Sequence, residues 1–407
     1  MYLRQALTHI RRIFSSSTPI EKGYLSLLLL AVVSLLGSRA GLSLTTGLLL
    51  IWAFLGAGRD TNNYLPLLIL PLWWLSTAVG LLRSPDLIQG LDAWLLGIPL
   101  LSYILAITRM HTLAEETRRL IFRAFMLSLV LGWFVAMMVG SYKWLTGLLN
   151  WDEAFTYATF TENILQHPTY LALMINIALI WLIQQTNLKR IYLWLLGFFL
   201  LFLLMTAARL QILIGLGIIG GILFFKYPRR RKWLYLGSGG LILMAICAVI
   251  FLPEQASRLS DLWNYREIEN IRHSGVAVRL ALWEIAWGEI MTQPLTGVGL
   301  GNVQATMEAA FVREGMPLQG LGPHNQYLHT ALAIGIPGMC ALIFALLVPL
   351  INGMIQRRYT AVGILLLVIL GCLTEDIFSR QIGICTLAIF LPLTWPLREN
   401  DQAVERE

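Results

Sequence analysis

Charge is scarce in this chain. Of its 407 residues, 13% are Asp, Glu, Lys or Arg and 57% are hydrophobic, whereas a soluble domain carries roughly 25% charged residues. A chain that is water-soluble throughout is thereby excluded. Cysteine is also rare. Cys247, Cys340, Cys372 and Cys385 sit in or at the edge of apolar runs, and no CxxC pair occurs. Neither a disulfide framework nor a cysteine metal site is signalled. There is no Asp-x-Asp, so the metal–diphosphate grip of many sugar-nucleotide enzymes is not signalled either. P-loop and GxSxG motifs are missing, as are internal repeats and low-complexity stretches. The glycine run Gly297-Val298-Gly299-Leu300-Gly301 has no strand before it. It therefore reads as a turn where backbone comes close to something, not as a dinucleotide fingerprint.

What the chain does have is apolar runs long enough, or nearly so, to cross a bilayer. They fall at 23–38, 42–57, 64–82, 91–107, 120–142, 168–185, 191–206, 209–225, 233–252, 325–350, 360–374 and 380–397. The expected fold is an all-α, polytopic membrane protein of about twelve spans. Residues 1–22 form a cytoplasmic interfacial segment, with Leu3, Leu7, Ile10 and Phe14 near one helical face. No small-residue cleavage site follows, so this reads as an uncleaved start. Spans one to nine occupy 23–252, a large outer segment with short helices 253–324, spans ten to twelve 325–397, and a cytoplasmic tail 398–407. The net charge of +7 needs no nucleic acid to explain it. Arg59, Arg109, Arg118, Arg119, Lys189, Arg190, Lys226, Arg229, Arg230, Arg231, Lys232, Arg357 and Arg358 all fall on one side of this layout. The opposite short loops hold only Arg39, Arg83, Lys143, Arg209 and Arg380. The positive-inside rule then puts both termini in the cytoplasm and the long segment outside.

Two outer stretches are rich in polar and aromatic residues. The first, 143–167, contains Trp144, Trp151, Asp152, Glu153, Tyr157, Glu162 and His167. In the second, Val276 to Ile290 reads as a helix, with Arg279, Trp283, Trp287 and Ile290 on one face. Gln293-Pro294 ends that helix and the glycine turn follows.

Four groups of residues are candidates for chemistry. His324 is expected in the first turn of a membrane helix entered through Gly322-Pro323, where proline's missing N–H costs nothing. There it can take a proton from a hydroxyl near neutral pH, or simply cap the helix. His329 points about 140° away and is set aside. Arg209 stands between two apolar segments with almost no loop, either as an anion clamp or as an arginine snorkelling to the interface. Arg258, Arg266, Arg272 and Arg279 are interleaved with acids, which suits a solvated surface. Arg279 differs in sharing its face with two tryptophans, and is taken as a second phosphate contact. Last, Thr374-Glu375-Asp376-Ile377-Phe378-Ser379-Arg380 is an outer turn whose Glu375, Asp376 and Arg380 can orient the histidine or the arginines. The plain alternative is an ordinary polar turn. Asn325, Arg266 and His167 complete the supporting set.

These motifs carry a resemblance. Pro294-Leu295-Thr296-Gly297-Val298-Gly299-Leu300-Gly301, then Pro323-His324-Asn325-Gln326-Tyr327-Leu328, then Gly335-Ile336-Pro337-Gly338, look like the signature of the O-antigen ligase/O-antigen polymerase (Wzy-C-like) superfamily. The layout of twelve spans with one large loop between the ninth and tenth is similar to that of the ligases. The resemblance implies a GT-C-like glycosyltransferase of a bacterial (Gram-negative) inner membrane, with its active site facing the periplasm. It implies a donor polysaccharide on undecaprenyl diphosphate, an acceptor hydroxyl on lipid A–core oligosaccharide, and no metal or other cofactor. By position, the family's periplasmic histidine matches His324 and its two essential arginines match Arg209 and Arg279. On that basis His324 is expected as general base, with Arg209 and Arg279 holding the diphosphate and inversion at the anomeric carbon. The partners are then these two lipid-linked glycans and membrane lipids, with no nucleic acid. A polymerase on the same carrier, and a relative that moves oligosaccharide onto protein, are the nearest alternatives. From a different class, a small-anion transporter would use Arg209 as a mid-path charge.

Overall fold

The computed structural model describes residues 19–55, 62–109, 115–185, 190–226 and 275–396. Outside these lie the interfacial segment up to residue 18, the expected ninth span at 233–252, Arg258, Arg266, Arg272 and the tail. Among the described residues all regular structure is helical. Four stretches are long and apolar enough to cross a membrane: Tyr64–Arg83, Leu87–Thr108, Glu115–Leu145 and Gln326–Ile355. The remaining apolar helices are shorter, at 10–17 residues.

In chain order, α1 (Pro19–Ser34) and α2 (Arg39–Leu55) come first. The expected third span is broken into 3-10 turns at Asn62–Leu67 and Thr77–Arg83 around a short α3 (Ile69–Ser76). Pro66 removes a donor, while the Ser76 and Thr77 hydroxyls donate back to the Trp73 and Trp74 carbonyls at 2.6 Å each, tightening the backbone. The expected fourth span is two helices, α4 (Leu87–Leu95) and α5 (Ile98–Arg109). Pro99 cannot donate to the Leu95 carbonyl. The Trp74 indole N–H donates to the Trp94 carbonyl (2.8 Å) in the gap. Then α6 (Glu115–Leu145) runs the full depth, followed by two short helices, α7 (Trp151–Phe155) and α8 (Tyr157–Glu162), within the aromatic stretch.

α9 (Pro168–Ile183) is the core of the bundle: every residue in it except Thr169 is buried. Apolar all round, it can only be stable surrounded by other helices. α10 (Arg190–Met205) and α11 (Arg209–Lys226) pack on it. After the undescribed stretch, α12 (Gly275–Thr292) matches the expected helix to within two residues at each end. α13 (Val303–Arg313) was not anticipated. α14 (Gln326–Ile355), α15 (Tyr359–Gly371) and α16 (Gln381–Thr394) finish the bundle.

α14 is not continuous. Ile334 and Gly335 leave helical geometry, with Gly335 at φ 79° and ψ 171°, a region essentially confined to glycine. A break inside a membrane bundle leaves backbone groups that must find partners. Three of them find partners in residues 294–299. Pro337 has no N–H for the Ala333 carbonyl, and the Ile336 N–H turns away to the Pro294 carbonyl (2.7 Å). The freed Leu332 and Ala333 carbonyls accept from the Val298 (2.8 Å) and Gly299 (2.9 Å) N–H groups. A Cβ on Gly297 would lie 2.6 Å from the Ala333 backbone, and one on Gly299 2.7 Å from the Arg83 backbone. The glycine turn therefore stitches the broken helix to α12 and to the α3–α4 connection.

The two ends of the bundle differ. At one end Arg358 donates to the Trp395 carbonyl (2.6 Å) and lies over its ring. Arg118 is within charge range of Tyr64 there, and Phe225 stacks on Tyr359. At the other end α9 and α14 begin and α15 finishes.

Gly335→Ala is expected to abolish folding, because its Cβ would lie 2.4 Å from the Leu295 carbonyl oxygen at a φ that L-residues avoid. Gly217→Ala in α11 meets nothing within 4 Å and is expected to be neutral or slightly stabilising. Yield and thermal midpoint of the two proteins in detergent measure the contrast.

Candidate active site

The turn after α15 brings Glu375 into the interior, where it is 5% exposed. Its Oε1 accepts from the Thr169 hydroxyl at 3.3 Å and lies 3.6 Å from Arg279 Nη2. Its Oε2 lies 3.6 Å from His324 Nδ1. At these lengths the latter two are charge contacts rather than formed hydrogen bonds. One buried carboxylate thus faces a guanidinium from α12 and an imidazole from the turn before α14.

Asp376, next in sequence, fixes the histidine's backbone. Its Oδ1 accepts the Asn325 N–H at 2.8 Å. Gln326 N–H donates to the Cys372 carbonyl (2.8 Å), and Gln326 Oε1 accepts the Phe378 N–H (2.7 Å). The carboxylate turn and the start of α14 are clasped together by these bonds. His324 differs from the expectation here. It is not in the first helical turn but two residues before α14, in the left-handed region at φ 47°. Asn325 is the N-cap, with its Oδ1 accepting from the Tyr327 and Leu328 N–H groups at 3.0 and 3.2 Å. Its side chain is thus occupied in capping, and Pro323 lies outside the helix. The left-handed turn swings the ring away from the helix axis toward Glu375. Histidine tolerates this region better than most residues.

His167 caps α9, its Nδ1 accepting the Thr169 N–H at 3.4 Å, with Pro168 at the first helical position. Burial pushes its pKa down, as do the charges of His324, Arg380 and Arg279; Glu375 opposes them. His167 is therefore neutral at pH 7. The facing Glu375 carboxylate raises the His324 pKa first of all. Burial opposes this, Glu375 and Asp376 add charge attraction, and Arg279 pulls the other way. Glu375 itself is pushed up by burial, but its contact with His324 and the charges of His324, His167 and Arg279 outweigh that and hold it low. The pair is thus poised as carboxylate and imidazolium or imidazole, not as two neutral groups.

The structure brings His324, Arg279, Glu375, Asp376 and His167 together, with Arg380 exposed at the start of α16 within charge range of His167. Arg209 is the exposed first residue of α11 at the same end of the bundle. Two residues on, Gln211 is buried against Gly371, where a Cβ would lie 2.8 Å from its Nε2, at the foot of the Glu375 turn. Sequence reasoning missed Thr169, 206 positions from the carboxylate it bonds. It also set aside His329, whose Nδ1 lies 3.8 Å from Asp376 Oδ2. The helical angle between His324 and His329 loses its meaning once His324 is outside the helix. Among the described residues, no three His, Cys, Asp or Glu side chains are grouped to hold a metal ion.

Chemically, a carboxylate-oriented imidazole is equipped to take a proton, and an adjacent guanidinium to hold an anion. No curated protein matches the chain. Residues 191–343, which contain Arg209, Arg279, His324 and both halves of the stitched break in α14, match the family model described as O-antigen ligase, and over that segment this membrane protein is O-antigen ligase-like.

Proposed function

We propose that the protein is an O-antigen ligase. It transfers polysaccharide from undecaprenyl diphosphate to a hydroxyl of lipid A–core oligosaccharide at the periplasmic face of the inner membrane. The observation that carries this reading is the meeting of His324, Arg279 and Glu375 at a single point, two of them inside the matched segment. Sidedness is supported by charge. Arg118, Arg119, Arg190, Arg357 and Arg358 fall at the opposite end of the bundle, which by the positive-inside rule is cytoplasmic.

In this reaction the acceptor oxygen attacks the anomeric carbon as its proton passes to His324. The bond from that carbon to the diphosphate oxygen breaks, and undecaprenyl diphosphate leaves. Glu375 faces Nδ1, so Nε2 is the nitrogen that receives the proton. Arg279 and Arg209 take up the charge growing on the leaving diphosphate. Fixed cations away from bulk water do this without reorganisation. In-line attack opposite the diphosphate inverts the anomeric centre. The aromatic stretch with α7 and α8 borders the glycan path.

His324→Ala in a deletion strain is expected to give bare lipid A–core while lipid-linked polymer accumulates, with transfer by the purified variant down by about 10²–10⁴-fold. Lipopolysaccharide ladders read the first and product formation the second. Full-length ladders from this variant overturn the base assignment. Core bearing a single repeat in the deletion strain itself marks a polymerase instead.

The Glu375–His324 pair also sets a pH dependence. The raised imidazole adds stability below its ordinary pKa, about 6.5, and loses it as pH rises through the raised value. The depressed carboxylate adds stability above its ordinary pKa, about 4.3, and loses it as pH falls through the depressed value. Both contributions coexist between about pH 4.3 and 6.5. Glu375→Gln is therefore expected to lower the thermal midpoint most in that window and least near pH 8. A base must be unprotonated, so wild-type activity falls as pH drops through the raised His324 pKa. In Glu375→Gln that acid limb moves to lower pH while the plateau rate drops. A pH–rate profile with an unmoved limb contradicts the pairing.

A further inference from the structure

One turn past Arg279, α12 carries a second polar group that packing does not account for. Trp283 lies four residues on, on the same helix face. Its ring is half-buried and packs against the small core formed by α12, α13 and the first turns of α14. That explains an aromatic ring at this position. It does not explain an indole, because the Nε1 is shielded and, among the described residues, has no hydrogen-bond partner. A buried N–H left unsatisfied lowers stability, and phenylalanine would fill the space without it. Arg279 shows the same pattern. Its Nη2 faces Glu375, while its Nε is shielded and has no hydrogen-bond partner among the described residues.

Both unsatisfied groups are donors with no acceptor capacity. A row of donors on one helix face is complementary to a ligand rich in acceptor oxygens. The Nε–H shares its guanidinium edge with Nη2, so a phosphate oxygen that bridges the 3.6 Å contact to Glu375 meets the two N–H groups as a fork. Four helical residues advance about 6 Å, so the indole lies further along the face than the guanidinium. Resting on the ligase reading above, we propose that the Trp283 N–H donates a hydrogen bond to an oxygen of the lipid-linked donor, next to the phosphate held by Arg279. Trp283 is then a specificity residue for the donor substrate. Its bond exists only with substrate in place, which is why the empty protein carries the unsatisfied group.

The test uses purified full-length protein with undecaprenyl-diphosphate-linked glycan and lipid A–core. Wild type, Trp283→Phe, Arg279→Ala and His324→Ala are compared for donor KM, acceptor KM, kcat and thermal midpoint with and without saturating donor. Trp283→Phe is expected to be at least as stable as wild type when empty and to gain less stability from donor. Its donor KM rises about tenfold or more, with acceptor KM unchanged. Trp283→Met takes its place if the phenylalanine variant folds poorly. An unchanged donor KM and donor-induced stabilisation, with His324→Ala inactive, overturn the proposal and leave the ligase reading standing. Normal transfer by both His324→Ala and Arg279→Ala overturns that reading itself.

Discussion

The structure depends on one break in a helix. A backbone interrupted within a membrane bundle must have its freed carbonyls and N–H groups satisfied by protein, since lipid offers no partner. In α14 the break at Ile334–Gly335 is satisfied by residues 294–299, which lie some forty positions earlier in the chain. Two consequences follow. The first turns of α14 need not follow the axis of the rest of that helix. The glycine turn also ties together α12, α14 and the segment bearing Arg83. α12 carries Arg279, and α14 begins beside His324. The stitch therefore fixes the mutual placement of the histidine and the arginine, although neither side chain takes part in it. The two glycine-rich motifs of the sequence are the two faces of this junction rather than ligand-binding loops.

The second constraint is electrostatic. A carboxylate as buried as Glu375 is costly unless opposite charge and hydrogen-bond donors surround it. It has the Thr169 hydroxyl, Arg279 and His324 around it, drawn from α9, α12 and the entry to α14. Removing any one leaves the others around a partly compensated charge, so the members of the cluster act as a unit. The same carboxylate that stabilises the cluster orders the ring and raises its affinity for a proton. Asp376 contributes through the backbone, holding the left-handed turn from which the ring projects.

The helices of this fold were legible in the sequence because long apolar runs have few alternative readings. The breaks were less so. Pro66 and Pro99 were visible, but the Trp74 side chain that enters the gap before α5 acts from 20 or more residues away. The helix at α12 was readable from the spacing of Arg279, Trp283 and Trp287; α13 carries its own apolar stripe, Val303, Met307, Ala310 and Phe311, at helical spacing, a signal the sequence reading passed over. At the site, His324, Arg279 and the Glu375–Arg380 turn were identifiable as residues, but not as contacts. The distance between Thr169 and Glu375 along the chain leaves no local trace, and the left-handed backbone at His324 is set by Asp376 rather than by its own neighbours. Asn325 reads equally as a cap or a ligand in sequence; the bonds to Tyr327 and Leu328 decide for the cap.

The boundary of the family match divides the labour in the site. Residues 191–343 hold both candidate phosphate-binding arginines and the histidine. Glu375, Asp376 and Arg380 lie beyond it, in the turn before the last helix. The groups that would meet substrate are thus in the matched segment, while those that set their charge and orientation come from outside. The turn is held to the main body by bonds at Asn325, Gln326, Thr169 and Tyr170, whose hydroxyl donates to the Asp376 carbonyl at 3.3 Å, and none of these residues belongs to the stitched break. The charge of Glu375 beside His324 is therefore separable from the stitched break, whereas Asp376 also holds the backbone from which the ring projects. Variation at 375 and 380 bears on the charge around the histidines, variation at 376 also on the backbone of His324, and variation at 297, 299 and 335 on whether the elements carrying these residues are held together.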